Sequence, residues 1–192
     1  MKLKHIKHQQ IDFEKWDESV AKSQAPIFYN SSWFLNTVSP NWEALVSDDY
    51  SVIFPLTVRT VFGIKIIIQP QFCQQLRLLL GSCGNSEYLE FTEKRLPFAV
   101  IVLQTNFPFK GFNYISKRFN LILKLGFSFE DIEKNFNSNT KRNIKKSQSY
   151  NLRVEGFYDS DFYIKFAKEN SPYEYSSSHF IVLQKIIEKS IE

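Results

Sequence analysis

WEALVSDDYSVIFPLTVRTVFGIKIIIQP, Trp42 to Pro70, is the stretch on which the fold turns. Its apolar residues recur at a period of two, which predicts strands rather than helix. Asp48 and Asp49 mark a first turn, between a strand at 43–47 and a strand at 50–59. Tyr50, Val52, Phe54, Leu56 and Val58 alternate strictly, so one face of the second strand is expected to be buried. Pro55 has no N–H to donate and points to an edge or a bulge. Gly63 lies in the second turn, and Ile64 to Ile68 form a third strand ended by Gln69 and Pro70. The stretch reads as an antiparallel meander.

Upstream the period changes to that of helices. KLKHIKH reads as a short strand, with Leu3 and Ile6 as its apolar positions. His5 and His8 have no acidic or thiol companion at ligand spacing, so they read as surface histidines rather than a metal site. Asp12 caps a helix whose inner face is Phe13, Trp16, Val20 and Ala21. Pro26 ends that region. Asn30 or Ser31 starts a second short helix, which packs Trp33, Phe34 and Val38 before Pro40.

Downstream of the meander, Gln69, Gln71, Gln74 and Gln75 cluster around Pro70, Phe72 and Cys73. Primary amides carry donors and an acceptor together, so two readings stand. They line a binding groove, or they satisfy backbone groups in an irregular segment. Cys73 has apolar or amide neighbours and reads as a buried structural thiol rather than a nucleophile. A helix is expected at 86–95. FAVIVLQ, Phe98 to Gln104, predicts a central strand covered on both faces. A long strand or hairpin follows at 112–125, interrupted by Arg118.

SFEDIEKNFNSNTKRNIKKSQSYNLRV, Ser128 to Val154, opens as a helix. Ser128 caps it, Asp131 is the reciprocal partner, and Phe127 with Ile132 form a hydrophobic staple. Ile132, Phe136 and Ile144 fall near one face, and Lys141, Arg142, Lys145 and Lys146 make two like-charge columns on the other. Such columns repel by a few tenths of a kcal/mol per pair, a cost a helix accepts more readily near its C-terminus. A strand at 152–157, a helix over 159–168 and a last helix capped by Ser176 or Ser178 complete the chain. Phe180, Ile181, Val182, Leu183, Ile186, Ile187 and Ile191 make the last helix apolar on several sides. The expectation is a C-terminal truncation or pairing with a second chain, including a homodimer through this helix.

The bulk composition bounds the rest. A chain of 192 residues with 43% hydrophobic content builds a globular fold with an aromatic core. A net charge of +4 does not by itself demand a nucleic acid or a membrane. Cys73 and Cys83 are ten apart without a companion His, which argues against a metal and for a reducing cytoplasm. No window approaches eighteen consecutive apolar residues, so no membrane span is expected.

SFEDIEKNFNSNTKRNIKKSQSYNLRV, with the preceding SKRFNLILKL, resembles the Fem-type aminoacyltransferases and related bacterial proteins of the GNAT (acyl-CoA N-acyltransferase) fold. The order of the front half agrees: helix, SSW helix, strand meander, then QPQFCQQL. The resemblance implies an α/β (α+β) fold, a mixed and largely antiparallel sheet flanked by helices. Residues 1–126 would form a first lobe, and 127–192 the opening of a truncated second lobe. It implies an N-acyltransferase in which an amine attacks a thioester or ester, with acyl-CoA or aminoacyl-tRNA as donor. The acceptor would be a small-molecule or peptide amine bearing an anionic group. Positioning and an oxyanion-stabilising amide would carry such a transfer.

The glycines at 63, 81, 84, 111, 126 and 156 never form a pyrophosphate loop before a helix. Donor handling is therefore expected outside this chain, which by itself is expected to be inactive. Arg142 and Lys141, supported by Arg118, Lys145 and Asn143, are the residues expected to hold the anionic group. Arginine suits that role through its planar fork. Gln74 and Gln75 are added from the amide cluster, and no residue presents itself as a catalytic base. A non-catalytic GNAT-like interaction domain is the alternative. An RNA-binding module through KRNIKK ranks below both, because basic residues outside that helix are scattered.

Overall fold

The computed structural model describes residues 3–24, 26–81, 96–99, 101–106, 116, 119, 126, 128–153, 156 and 159–191. The helix expected at 86–95, Phe127, Cys83 and Arg118 lie outside these, as do most of the strand or hairpin expected at 112–125 and half of the strand expected at 152–157. Contacts divide the chain into two units. Met1–Ile115 and Asp159–Glu192 form one, and Ser116–Tyr158 the other. The last two helices thus group with the N-terminal residues, apart from the basic helix.

The larger unit is mixed α+β. Strand β1 (Lys4–Ile6) runs through a 3-10 turn into α1 (Phe13–Lys22) and α2 (Ser32–Val38). The meander then gives β2 (Glu43–Val46), β3 (Val52–Leu56), β4 (Val58–Val61) and β5 (Ile64–Ile68), followed by β6 (Leu79–Leu80) and β7 (Ile101–Val102). Two sheets result. One has the order β1-β2-β3-β6 and is antiparallel throughout. The other has the order β4-β5-β7, with β4 antiparallel and β7 parallel to β5. Helices α5 (Ser160–Asn170) and α6 (Ser177–Ile191) pack on each other, and α6 also packs on α2.

The expected strand at 50–59 is divided at Thr57. The Thr57 hydroxyl donates to the Ile68 carbonyl at 2.7 Å, and Ile68 N–H donates back to Thr57 at 3.1 Å. That exchange hands the chain from one sheet to the other. All five residues of β3 are buried, rather than one face of it. The alternation concealed this because Ile53 and Pro55, between the marked positions, are apolar too. Pro55 is tolerated inside the sheet by its register. Ser47 N–H bonds the Val52 carbonyl at 2.9 Å, so Ala44 and Pro55 fall in a non-hydrogen-bonded pair. The missing N–H therefore faces the β6 side, where the ladder stops at Ile53. The expectation for Phe98 to Gln104 is also corrected. Among the described residues there, Ile101 and Val102 alone form strand, and Val102 is 57% exposed.

Asp49 organises the first turn. Its Oδ1 accepts from the Ser47 hydroxyl at 2.7 Å, the Ser51 hydroxyl at 2.8 Å and the Ser51 amide at 3.0 Å. The Ser47 hydroxyl first, and then the two Ser51 donors, pull its pKa from 3.8 to about 2. The fold thus favours the carboxylate, and that contribution is in place above 3.8 and lost as pH falls through about 2. A carboxyl-carbon NMR titration is expected to place the Asp49 midpoint near 2 and to move it up in Ser47→Ala. An unshifted midpoint at 3.8 would show that this turn does not form. In the second turn, Phe62 (φ 50°) precedes Gly63 (φ 77°), both left-handed, and the Phe62 ring is fully exposed. Glycine takes that conformation without strain, whereas phenylalanine does not.

The core is aromatic. Trp16 and Trp42 are both completely buried, with ring centroids 4.6 Å apart. Each satisfies its indole N–H, Trp16 on the Asn30 carbonyl at 2.7 Å and Trp42 on the Asn36 side chain at 2.8 Å. Burial of a ring of this size is worth roughly 5 kcal/mol of gross transfer free energy, which fixes where α1 meets the sheet. Asp12 caps α1 as expected, accepting from Lys15 N–H at 3.1 Å. The first amide of α2 is satisfied differently. Ser32 N–H donates to Asp17 of α1 at 2.8 Å, and Ser31 makes no side-chain cap bond.

Of α6, Phe180, Val182, Leu183, Ile186 and Ile187 are half-buried, and Ile186 packs on the core cluster. Ile181 and Ile191 stay 56% and 48% exposed. No helix among the described residues is long and apolar enough to cross a membrane.

The smaller unit contains α3 (Phe129–Lys134) and α4 (Ser138–Ser149). Ser128 caps α3, accepting from Asp131 N–H at 3.2 Å, so that start reads true. The single continuous helix does not form. Asn137 adopts an extended backbone and its side chain accepts from Thr140 N–H at 2.8 Å, which starts a new helix. A local Asn cap competes successfully with helix continuation through Asn135 and Phe136. Ile132 and Phe136 consequently do not share a helix face with Ile144.

Candidate functional site

In the larger unit the chain leaves β5 at Ile68 and makes an irregular excursion to β6. This excursion borders an open cleft of about 450 Å³. Gln71, Phe72, Cys73 and Gln74 line it on one side, and Tyr29 and Gln104 close it from elsewhere in the chain. Tyr29 arrives on the 3-10 turn before α2, and Gln104 just after β7. Backbone bonds hold the walls: Gln69 N–H to the Val102 carbonyl and Leu76 N–H to the Gln104 carbonyl, each at 2.8 Å.

The glutamines divide between serving the backbone and lining the cleft. Gln69 satisfies backbone. Its Nε2 donates to the Cys73 carbonyl at 2.8 Å, and its Oε1 accepts from Gln104 N–H at 2.9 Å. Gln71 and Gln74 are exposed and line the cleft. Gln75 is half-buried and contributes its carbonyl, which accepts from the Cys73 thiol at 3.5 Å. Phe72 sits in the left-handed region at φ 64°, and its ring meets Tyr175 at 5.6 Å. Strain of this kind persists where the surroundings fix it.

Among the described residues, no Asp, Glu, Lys, Arg or His lines the cleft. Burial pushes the Cys73 thiol up to about 12 against a small opposing pull from the Gln75 backbone. Burial, then the neighbouring Cys73, raises the Tyr29 phenol. Both therefore stay protonated, and Cys73 is a poor nucleophile, since the thiolate is the reactive form.

The second candidate is α4, in the smaller unit. Lys141, Arg142, Asn143 and Lys145 are all exposed on it, and Ile144 is half-buried. Lys141 and Lys145 form one column, Arg142 and Lys146 the next, and no acidic residue lies between 138 and 149. Arg142 donates to Asn139 at 2.7 Å, and Lys146 lies over the Tyr150 ring at 5.9 Å. The break at Asn137 alters their electrostatics. Lys141 and Arg142 sit near the start of α4, where the helix dipole disfavours cations, and only Lys146 lies in its last turn. Repulsion within the columns and from the dipole leaves this face disposed to take up an anion.

The expected site residues thus fall into two sets, Gln74 with Gln75 and Lys141 to Lys145, while Arg118 is outside the described residues. Tyr29 and Gln104 were not legible as lining residues. They join Gln71 and Gln74 only through tertiary pairing, and nothing in their local sequence signals it. The histidine reading is corrected as well. His5 Nε2 lies 2.5 Å from Glu43, and His8 Nδ1 lies 3.2 Å from the Trp42 carbonyl, both half-buried. No group of three or more potential metal ligands occurs among the described residues.

Compared with protein-family models, curated proteins and solved structures, the chain matches none of them.

Proposed function

We propose that this chain is the substrate-side part of a GNAT or Fem-like N-acyltransferase, acting on an amine that carries an anionic group. The observation that carries the reading is α4: exposed Lys141, Arg142 and Lys145 on a helix without an acidic residue. That helix lies within the segment that resembles the Fem-type enzymes. The mixed α+β composition, with one antiparallel and one mixed sheet beside helices, supports the reading only at the level of fold class. Acyl-CoA or aminoacyl-tRNA would be the donor, by resemblance alone. The chain would bind and orient the acceptor, with Arg142 as a bidentate donor to its oxyanion and Lys141 and Lys145 as supporting charges. Isotope-labelled chain titrated with inorganic phosphate is expected to show saturable amide shifts over residues 139–146. The response should fall about tenfold in a Lys141→Ala, Arg142→Ala double variant, the loss of roughly one charged hydrogen bond. No phosphate response in that segment would remove the reading.

A second reading, a non-catalytic interaction domain, is favoured by the apolar surface of α5 and α6. Phe162 and Phe166 are 52% and 56% exposed with their rings stacked at 6.5 Å, and Ile181 is 56% exposed. A homodimer through α6 follows from that surface, and sedimentation of the chain as a monomer would count against it.

A further inference from the structure

We propose that α4 and the turn that follows it form a docking surface for an anionic phospholipid bilayer. The net charge of the chain is concentrated here. The smaller unit, residues 116–158, holds nine Lys and Arg against four Asp and Glu, whereas the larger unit has one acid more than it has bases. The mild overall charge of +4 thus conceals a strongly cationic unit. Between Asn135 and Val154 there are five cations and no acid. Four of them, Lys141, Arg142, Lys145 and Lys146, are exposed on α4 within two helical turns, and Arg153 is exposed just beyond it. The acids of the described part gather instead on α3, where Asp131 is engaged by Lys134 at 2.7 Å. A basic cluster of this number and density is what the surface potential of anionic lipids attracts. Each basic residue near such a surface contributes roughly fivefold to partitioning.

Apolar side chains beside the cations favour a bilayer over a nucleic acid. Tyr150 caps the C-terminus of α4, and Asn151 takes a left-handed backbone at φ 50° that turns the chain out of the helix. Tyr150 is 64% exposed and Leu152 70%, so an aromatic and an aliphatic side chain stand in water close in sequence to Lys146 and Arg153. The Lys146 ammonium lies over the Tyr150 ring at 5.9 Å. That pair suits the headgroup layer, where a tyrosine ring settles at the hydrocarbon boundary and a lysine stem lets its ammonium reach a phosphate. Leucine has no π-face on which a base could stack, whereas acyl chains relieve its exposure to water. The four cations of α4 also span only about 8 Å of helix, a compact patch rather than a groove that follows a strand over several nucleotides. Adsorption of this kind goes beyond the single oxyanion assigned to Lys141 and Arg142, and it does not depend on the transfer reaction.

The test is co-sedimentation of the whole chain with vesicles of phosphatidylcholine alone and of phosphatidylcholine with one-third phosphatidylglycerol, and a uridylate oligomer in a separate arm. The chain is expected to partition onto the anionic vesicles and not the neutral ones. That partitioning should fade as salt approaches 1 M, where the Debye length falls to about 3 Å. A Lys146→Ala, Arg153→Ala double variant should weaken it about twentyfold, two contributions of roughly fivefold each. Leu152→Ser should weaken it about threefold to tenfold, the share of one partly inserted aliphatic side chain. All three positions are exposed, and circular dichroism of each variant reports that the fold is kept. Both variants retain Lys141 and Arg142, so their phosphate response should persist. Loss of vesicle binding with phosphate binding intact therefore separates this surface from the acceptor site. The proposal is overturned if neutral and anionic vesicles bind alike, if either variant binds as tightly as the natural chain, or if the uridylate oligomer binds and the anionic vesicles do not.

Discussion

Asn30→Ala is expected to lower the unfolding free energy by about 4 kcal/mol, although the residue lies in a three-residue turn and carries no charge. Its side chain is fully buried and acts as a two-point clamp. Nδ2 donates to the Arg77 carbonyl at 2.7 Å, and Oδ1 accepts from the Arg77 amide at 3.0 Å, an exchange resembling one rung of a sheet ladder. Its backbone carbonyl accepts the Trp16 indole at 2.7 Å. Alanine removes both side-chain bonds at once, from part-buried backbone groups of Arg77. Each such loss costs about 1–3 kcal/mol, and the vacated volume adds to it. Against a typical total of about 5–15 kcal/mol, that is a large fraction. Asn30→Asp should be little better, since it keeps the acceptor, loses the donor and buries a charge. Urea unfolding monitored by tryptophan fluorescence measures the loss. A change below about 1 kcal/mol would mean that Arg77 finds other partners and that the clamp is dispensable.

The second large effect belongs to Glu43. Its side chain is only 6% exposed, yet it is a carboxylate at the start of an entirely buried strand. It is tolerated because His5 on β1 holds Oε2 at 2.5 Å and Lys65 on β5 holds Oε1 at 2.9 Å. Since β2 and β5 belong to different sheets, this carboxylate ties the two together. The Phe98 ring lies against His5 at 5.7 Å and covers the site further. Breaking such a pair is asymmetric. Glu43→Leu leaves the His5 imidazole and the Lys65 ammonium, which still reach water at 24% and 46% side-chain exposure, and should cost about 2 kcal/mol. Replacing the partners instead, with His5→Leu and Lys65→Met together, strands a buried carboxylate and should cost about 4 kcal/mol. The triple variant should recover most of that loss. If the partner-side double variant were no worse than Glu43→Leu, the carboxylate would not depend on its two partners.

What could be read beforehand was whatever is local in the chain. The caps at Asp12 and Ser128 and the Asp48–Asp49 turn are settled within a few residues, by side chains bonding amides two or three positions away. The strand character of the meander follows likewise from its period of two. Even local chemistry misled where two local solutions competed. Asn137 and Thr140 form a cap inside a pattern that otherwise reads as continuous helix.

Tertiary structure decided the rest, because burial and pairing depend on residues far apart in sequence. Whether β3 is covered on one face or two depends on the helix and strands packed around it, and Ile53 and Pro55 suit either case. Glu43 reads as an ordinary polar position until Lys65 and His5 are brought to it, 22 and 38 residues away. The cleft is the clearest instance. The four glutamines were visible as a cluster, but which of them serve the backbone depends on Gln104, 35 residues beyond Gln69. The sequence by itself determined an aromatic-cored α+β chain with one strongly basic helix. Only the tertiary structure showed which glutamines serve the backbone and where the basic helix starts, since pairing depends on what surrounds a residue in space.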